Sequence, residues 1–151
     1  MTPAVEAARR AGIPFQLHEY EGVEVGEGDY ATAVAEALDR PPAQLYKTLV
    51  AKVDGELSVF VIPADQQLDL RAVGKRAELA AKVEAERATG YVVGGISPLG
   101  QRKRLPTTID ASAYEWETIL VSAGRRGLQI EMAPADLITL TGARVGELTK
   151  T

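Results

Sequence analysis

The chain has 151 residues, 46% apolar and 25% charged, with a net charge of −4, one histidine and no cysteine. That length and balance describe one globular domain, 1–151, with a sizeable core, and exclude a disordered, fibrous or coiled-coil chain. Without thiols there is no disulfide framework, thiolate metal site or protein thiol nucleophile, and one histidine cannot build a His-rich zinc centre.

No run approaches the roughly 20 apolar residues of a membrane span. The first ten residues lack the apolar stretch and cleavage site of a secretory signal, so a cytoplasmic protein is expected. A Ser-His-Asp triad would have to take its base from His18.

In chain order, Thr2-Pro3 starts a helix over about 3–11, with Thr2 as cap and Gly12 as stop. Phe15 to Glu21 alternates as a strand does, with Phe15 and Leu17 on one face and Gln16, His18 and Tyr20 on the other. Gly22 to Gly28 is an acidic loop, and Asp29 caps a helix in which Tyr30, Val34, Ala37 and Leu38 recur at helical spacing before Pro41-Pro42. Residues 46–53 and 56–62, joined by Asp54-Gly55, form a hairpin with a type I′ turn, ended by Pro63. Asp69 to about Thr89 reads as helical, in two pieces broken near Gly74, and Gly90 ends it. Tyr91-Val92-Val93 reads as a short strand feeding a tight loop, Gly94 to Gly100. A second hairpin joins 117–121 to 128–132, and Pro134 opens a C-terminal helix. Helices alternating with hairpins predict an α+β fold with a mixed, mainly antiparallel sheet.

Charge is unevenly spread. Residues 15–39 hold seven acidic residues and no Lys or Arg, whereas 71–104 hold eight basic residues, among them Arg102, Lys103 and Arg104, against three glutamates. Arg125 and Arg126 add a second basic pair. Such runs are either solvated faces or a local phosphate-binding patch.

Three features could carry chemistry. Lys47, near the start of an apolar strand, is either an edge-protecting charge or a partly desolvated ammonium that holds an anion or carbonyl, on the face opposite Tyr46 and Thr48. The loop Gly94-Gly95-Ile96-Ser97-Pro98-Leu99-Gly100 is either a plain turn or a nest of N–H groups able to hold an oxyanion, and it matches no nucleotide-binding fingerprint. Ser97 and Ser122 lack a nucleophile-elbow setting, and Tyr20 and Tyr30 could hydrogen-bond or stack on a ligand.

Thr2 to Val5, Tyr46-Lys47-Thr48-Leu49, Gln67 to Leu70, Thr89 through Thr107 and Gly127-Leu128 together resemble the YbaK family, free-standing relatives of the editing domain of bacterial prolyl-tRNA synthetases. The resemblance implies that family's α+β, partly barrel-like fold flanked by helices. It also implies removal of cysteine from mischarged Cys-tRNA(Pro), with some action on Cys-tRNA(Cys), and no cofactor or metal. Hydrolysis of Ala-tRNA(Pro) or another small aminoacyl-tRNA, or a non-catalytic tRNA- or synthetase-binding role, stands as the alternative. It puts the essential lysine at Lys47 and the glycine-loop oxyanion donors at Gly94 and Gly95. Substrate contacts fall on Tyr20, Tyr30, Thr48, Ile96, Ser97, Pro98 and Ser122. One departure stands out: Gln129 replaces an aspartate of the family pattern. The implied chemistry suits a chain poor in nucleophiles, because the cysteinyl thiol attacks its own ester and leaves as a thiolactone. Low net charge suggests a weak, salt-sensitive grip on tRNA, helped by prolyl-tRNA synthetase, with Arg102, Lys103 and Arg104 near phosphates.

Overall fold

A computed structural model describes residues 1–23 and 29–150; most of the expected acidic loop, 24–28, lies outside them. Helix α1 (Pro3–Ala11) begins where Thr2 Oγ1 accepts the Val5 N–H at 3.2 Å and ends on Gly12 in the left-handed region. Strand β1 (Gln16–Glu19) follows, then α2 (Tyr30–Ala37), capped by Asp29. The hairpin β2 (Tyr46–Val53) and β3 (Glu56–Pro63) turns on Asp54 and Gly55, both at positive φ as a type I′ turn demands.

Residues 69–89 depart from expectation. A single four-residue turn, α3 (Leu70–Val73), is followed by a strand, β4 (Ala77–Leu79), and only then by α4 (Lys82–Thr89). The strand forms because Ala51 to Val53 of β2 present an open edge whose backbone groups need partners, which Ala77 to Leu79 supply. Gly74 is extended there, and a side chain on it would strike Val53. Tyr91 to Val93 is not a strand, because its polar groups are taken locally. Tyr91 Oη donates to Leu99 O at 2.6 Å, and the Val93 N–H donates to Glu86 at 2.7 Å.

The remaining elements are β5 (Thr107–Asp110), a 3₁₀ turn (Ala111–Glu115), β6 (Ile119–Arg125), β7 (Leu128–Met132), α5 (Pro134–Thr141) and β8 (Arg144–Gly146). Two sheets result, β1-β7-β6 and β4-β2-β3-β5-β8. Among the described strand pairs only β3–β5 and β5–β8 are parallel. A bridge between Leu45 and Leu120 brings the start of β2 against β6 and joins the sheets without closing a barrel. Between them lies the largest core cluster, built around Tyr46, Val59, Val61, Ile109, Ile119, Val121, Ile130 and Leu137. No helix among the described residues is long and apolar enough to cross a membrane.

Strand β1 and the residue after it put Leu17 on one face and His18 and Tyr20 on the other, as expected, with the His18 and Tyr20 face turned inward. Leu17 is exposed, while His18 and Tyr20 face inward, His18 onto Glu131 and Tyr20 into a second cluster with Val34, Ala35 and Leu120.

Candidate active site

The seam between the sheets opens as a cleft of about 420 Å³. It forms because β4 pairs only with Ala51 to Val53 and β6 bridges the chain only at Leu45, leaving Lys47 to Leu49 of β2 without a strand neighbour on that side. Side chains from both faces of β2 therefore reach the opening, and Lys47 and Thr48 line it together instead of facing separate environments. Helix α2 supplies Tyr30 and Val34 as one wall, the glycine loop supplies Val93, Gly94 and Ile96, and β6 and β7 supply Ser122 and Gln129, which pair directly. Leu79, Ala80 and Lys82, between β4 and α4, complete the rim.

Lys47 Nζ is half-buried and donates to Ala64 O at 3.3 Å, which leaves two of its three protons for a ligand. The loop is rigidly backed. Gly94 has φ 94°, and a side chain on Gly95 would lie 2.8 Å from the Arg125 backbone, so only glycine allows that approach. The Gly95 N–H, an expected oxyanion donor, is spent on Val92 O at 2.9 Å. The Gly94 and Ile96 N–H groups have no protein acceptor among the described residues.

The expected residues divide. Tyr30, Lys47, Thr48, Gly94, Ile96 and Ser122 line the cleft. Tyr20 stands behind Tyr30, their hydroxyls 3.1 Å apart, and burial together with this bond pushes the Tyr30 phenol well above its ordinary range. Ser97 is fully buried, its Oγ accepting the Leu99 N–H at 3.2 Å, so it holds the loop together. Pro98 is likewise outside the lining. Arg102 lies over Gly90, and Arg104 approaches Gly142, neither on the lining. Lys103 is tied through its backbone N–H to Ala88 O.

Two oxygens on the cleft wall, Thr48 Oγ1 and Gln129 Oε1, are buried without any hydrogen-bond partner. Gln129 is 4% exposed. Orphaned buried polar atoms are costly in a folded chain, and a pair of them on one cleft makes it the candidate ligand site. Composition could not single out Gln129; only its departure from the family pattern drew attention to it.

His18 does not serve this cleft. Its Nε2 lies 2.7 Å from Glu131 Oε1, and Arg40 grips the same carboxylate with two bonds of 3.0 Å. Thr118 adds a fourth at 2.6 Å. Burial alone would raise the Glu131 pKa, but the bonds from Arg40, Thr118 and His18 outweigh it and bring it down to about 2. Among the described residues Asp29 is the one carboxylate on the lining, and it accepts the Thr32 N–H as the cap of α2.

Residues 26–140 match the model of the aminoacyl-tRNA editing domain. A protein of Enterococcus faecalis, EbsC, named as a candidate Cys-tRNA(Pro)/Cys-tRNA(Cys) deacylase, is 35% identical over 98% of this chain and 93% of its own. The Escherichia coli multifunctional Ser/Thr-tRNA deacylase ProXp-y is 30% identical over 85% of this chain and 80% of its own. A crystal structure described as a candidate trans-editing enzyme for prolyl-tRNA synthetase superposes with a TM-score of 0.79 at 24% identity. The match covers 100% of this chain and 99% of that one.

Proposed function

Because the chain belongs to the aminoacyl-tRNA editing domain family, we propose that it is a deacylase that clears cysteine from Cys-tRNA(Pro) and, more weakly, from Cys-tRNA(Cys). The observation that carries this reading is a cleft whose described lining offers binding groups but no thiol, and whose aliphatic hydroxyls, on Thr48 and Ser122, have no histidine base. The only histidine is locked onto Glu131, and the chain has no thiol. A substrate that brings its own nucleophile fits such a cleft.

In this mechanism the cysteinyl sulfur attacks the ester carbonyl carbon, its proton passing through solvent to the departing ribose oxygen. The bond from that carbon to the ribose oxygen breaks, the ribose oxygen takes that proton, and the amino acid leaves as a thiolactone. The protein holds the chain of atoms in attack geometry and stabilises the oxyanion. Lys47 Nζ and the Gly94 and Ile96 N–H groups are the donors for that oxygen. The amide oxygen of Gln129 accepts the substrate α-amine, and Thr48 and Ser122 border the reacting centre. Tyr30, steadied by Tyr20, closes the other wall, and prolyl-tRNA synthetase serves as a transient partner that delivers the tRNA.

The test is deacylation by the pure protein with Lys47→Ala alongside. The reading expects a loss of roughly 100-fold on Cys-tRNA(Pro) for the variant, with unchanged folding. Full activity in the variant would refute the role given to Lys47.

A further inference from the structure

An aminoacyl ester seated against Gln129 and Lys47 must leave its polyanionic strand running out over the rim. Lys82 lies on that rim. Arg126 reaches it from the β6–β7 turn, donating through Nε and Nη2 to the carbonyl of Val93 at 3.0 and 2.8 Å. Both residues are free of ion pairs among the described residues, whereas Arg40 and Lys52 are each neutralised by a glutamate. Arg126 is also held in place by those two bonds, so little side-chain freedom remains to be lost on binding a phosphate. Its charge is felt at the Tyr30 phenol, across the opening.

Exposed apolar side chains lie on this rim at Leu79 and in the chain directly beside its residues at Val83 and Val92. Leu79 lines the cleft and is 58% exposed; Val83, next to Lys82, is 62% exposed; and Val92, next to Val93, is 52% exposed. Cations interleaved with exposed apolar side chains suit a single strand of RNA, with phosphates on the cations and base faces on the apolar ledge.

We infer that the single-stranded acceptor end of the tRNA crosses this rim, its last phosphates held by Lys82 and Arg126 and its terminal bases resting on Leu79, Val83 and Val92. The assignment rests on the deacylase reading for the identity of the strand. It moves the phosphate contact closest to the reaction away from Arg102, Lys103 and Arg104, which neither line the cleft nor, in contrast to Arg126, bond to a residue that does.

The experiment measures binding of uncharged tRNA(Pro) across a salt series, for wild type, Lys82→Ala/Arg126→Ala and Arg102→Ala/Lys103→Ala/Arg104→Ala, with Cys-tRNA(Pro) deacylation run in parallel. The double variant should bind roughly tenfold more weakly at low salt. Its slope of log affinity against log salt should flatten by about 1.4, for two single-strand phosphate contacts. The triple variant should flatten it less. An unchanged slope in the double variant, or a larger change in the triple, overturns the inference. A wild type that binds tRNA with this dependence but clears no ester would sink the deacylase reading while leaving the rim assignment standing. Leu79→Ser/Val83→Ser should weaken binding several-fold without changing the slope, and a changed slope would contradict the division between bases and phosphates.

Discussion

Two residues apart on β7, Gln129 and Glu131 occupy the same face of one strand and are treated in opposite ways. Glu131 has every oxygen used, by His18, Arg40 and Thr118, and fastens the segment after α2 to the three-stranded sheet. Gln129 is equally buried, yet its oxygen meets nothing. A polar group that is satisfied in the interior holds the fold, and one left wanting is kept for something that arrives later. The division runs through the cleft: Ser97 and Gly95 have their bonding completed within the loop, while Lys47, Thr48, Gly94 and Ile96 keep capacity to spare.

The contrast breaks most visibly at Glu131. Glu131→Gln leaves Arg40 without its carboxylate and should cost about 2–3 kcal/mol in a denaturant titration at pH 7. A cost below about 0.5 kcal/mol would mean that the cluster is ornamental. The same carboxylate sets an acid window. With its pKa lowered from 4.5 to about 2, its stabilisation is complete above about 4.5 and is lost as the pH falls from there toward 2. The stability gap between wild type and Glu131→Gln should therefore close between those limits, and a gap that persists at pH 2 would assign the stabilisation to packing.

At Gln129 the sign reverses. Gln129→Leu removes an orphaned acceptor and should leave stability within about 1 kcal/mol of wild type, or raise it slightly. Deacylation should nevertheless fall roughly tenfold or more. A variant destabilised like Glu131→Gln would show that Gln129 has a structural partner after all. Thr48→Val should show the same pattern more weakly, since its Oγ1 is also buried without a partner but only borders the reacting centre.

Much of this frame was legible in the residues. The Thr2-Pro3 helix start, the Asp54-Gly55 turn and the Pro134 helix start are local signals that tertiary contacts did not override. Strand β4 was not legible, because Ala77-Glu78-Leu79 has no strand preference of its own and is ordered by the unpaired edge of β2. The short strands β5 and β8 likewise owe their existence to the neighbours they extend. In the cleft, Lys47 and Gly94 were expected, but an orphaned oxygen is a property of packing, and no pattern in the chain marks it. Hence Gln129, Lys82 and Arg126 acquire their meaning only once β4, β7 and the glycine loop are assembled around one opening.

The most direct measurement compares clearance of Cys-tRNA(Pro), Ala-tRNA(Pro) and Ser-tRNA by the pure protein under one set of conditions. A cleft that supplies geometry and oxyanion donors but no thiol and no histidine base predicts rapid loss of cysteine and slow loss of serine and alanine, because alanine has nothing to attack with and a hydroxyl attacks poorly. Alanine or serine removed as fast as cysteine would contradict the substrate-thiol mechanism and require a water activated within the cleft.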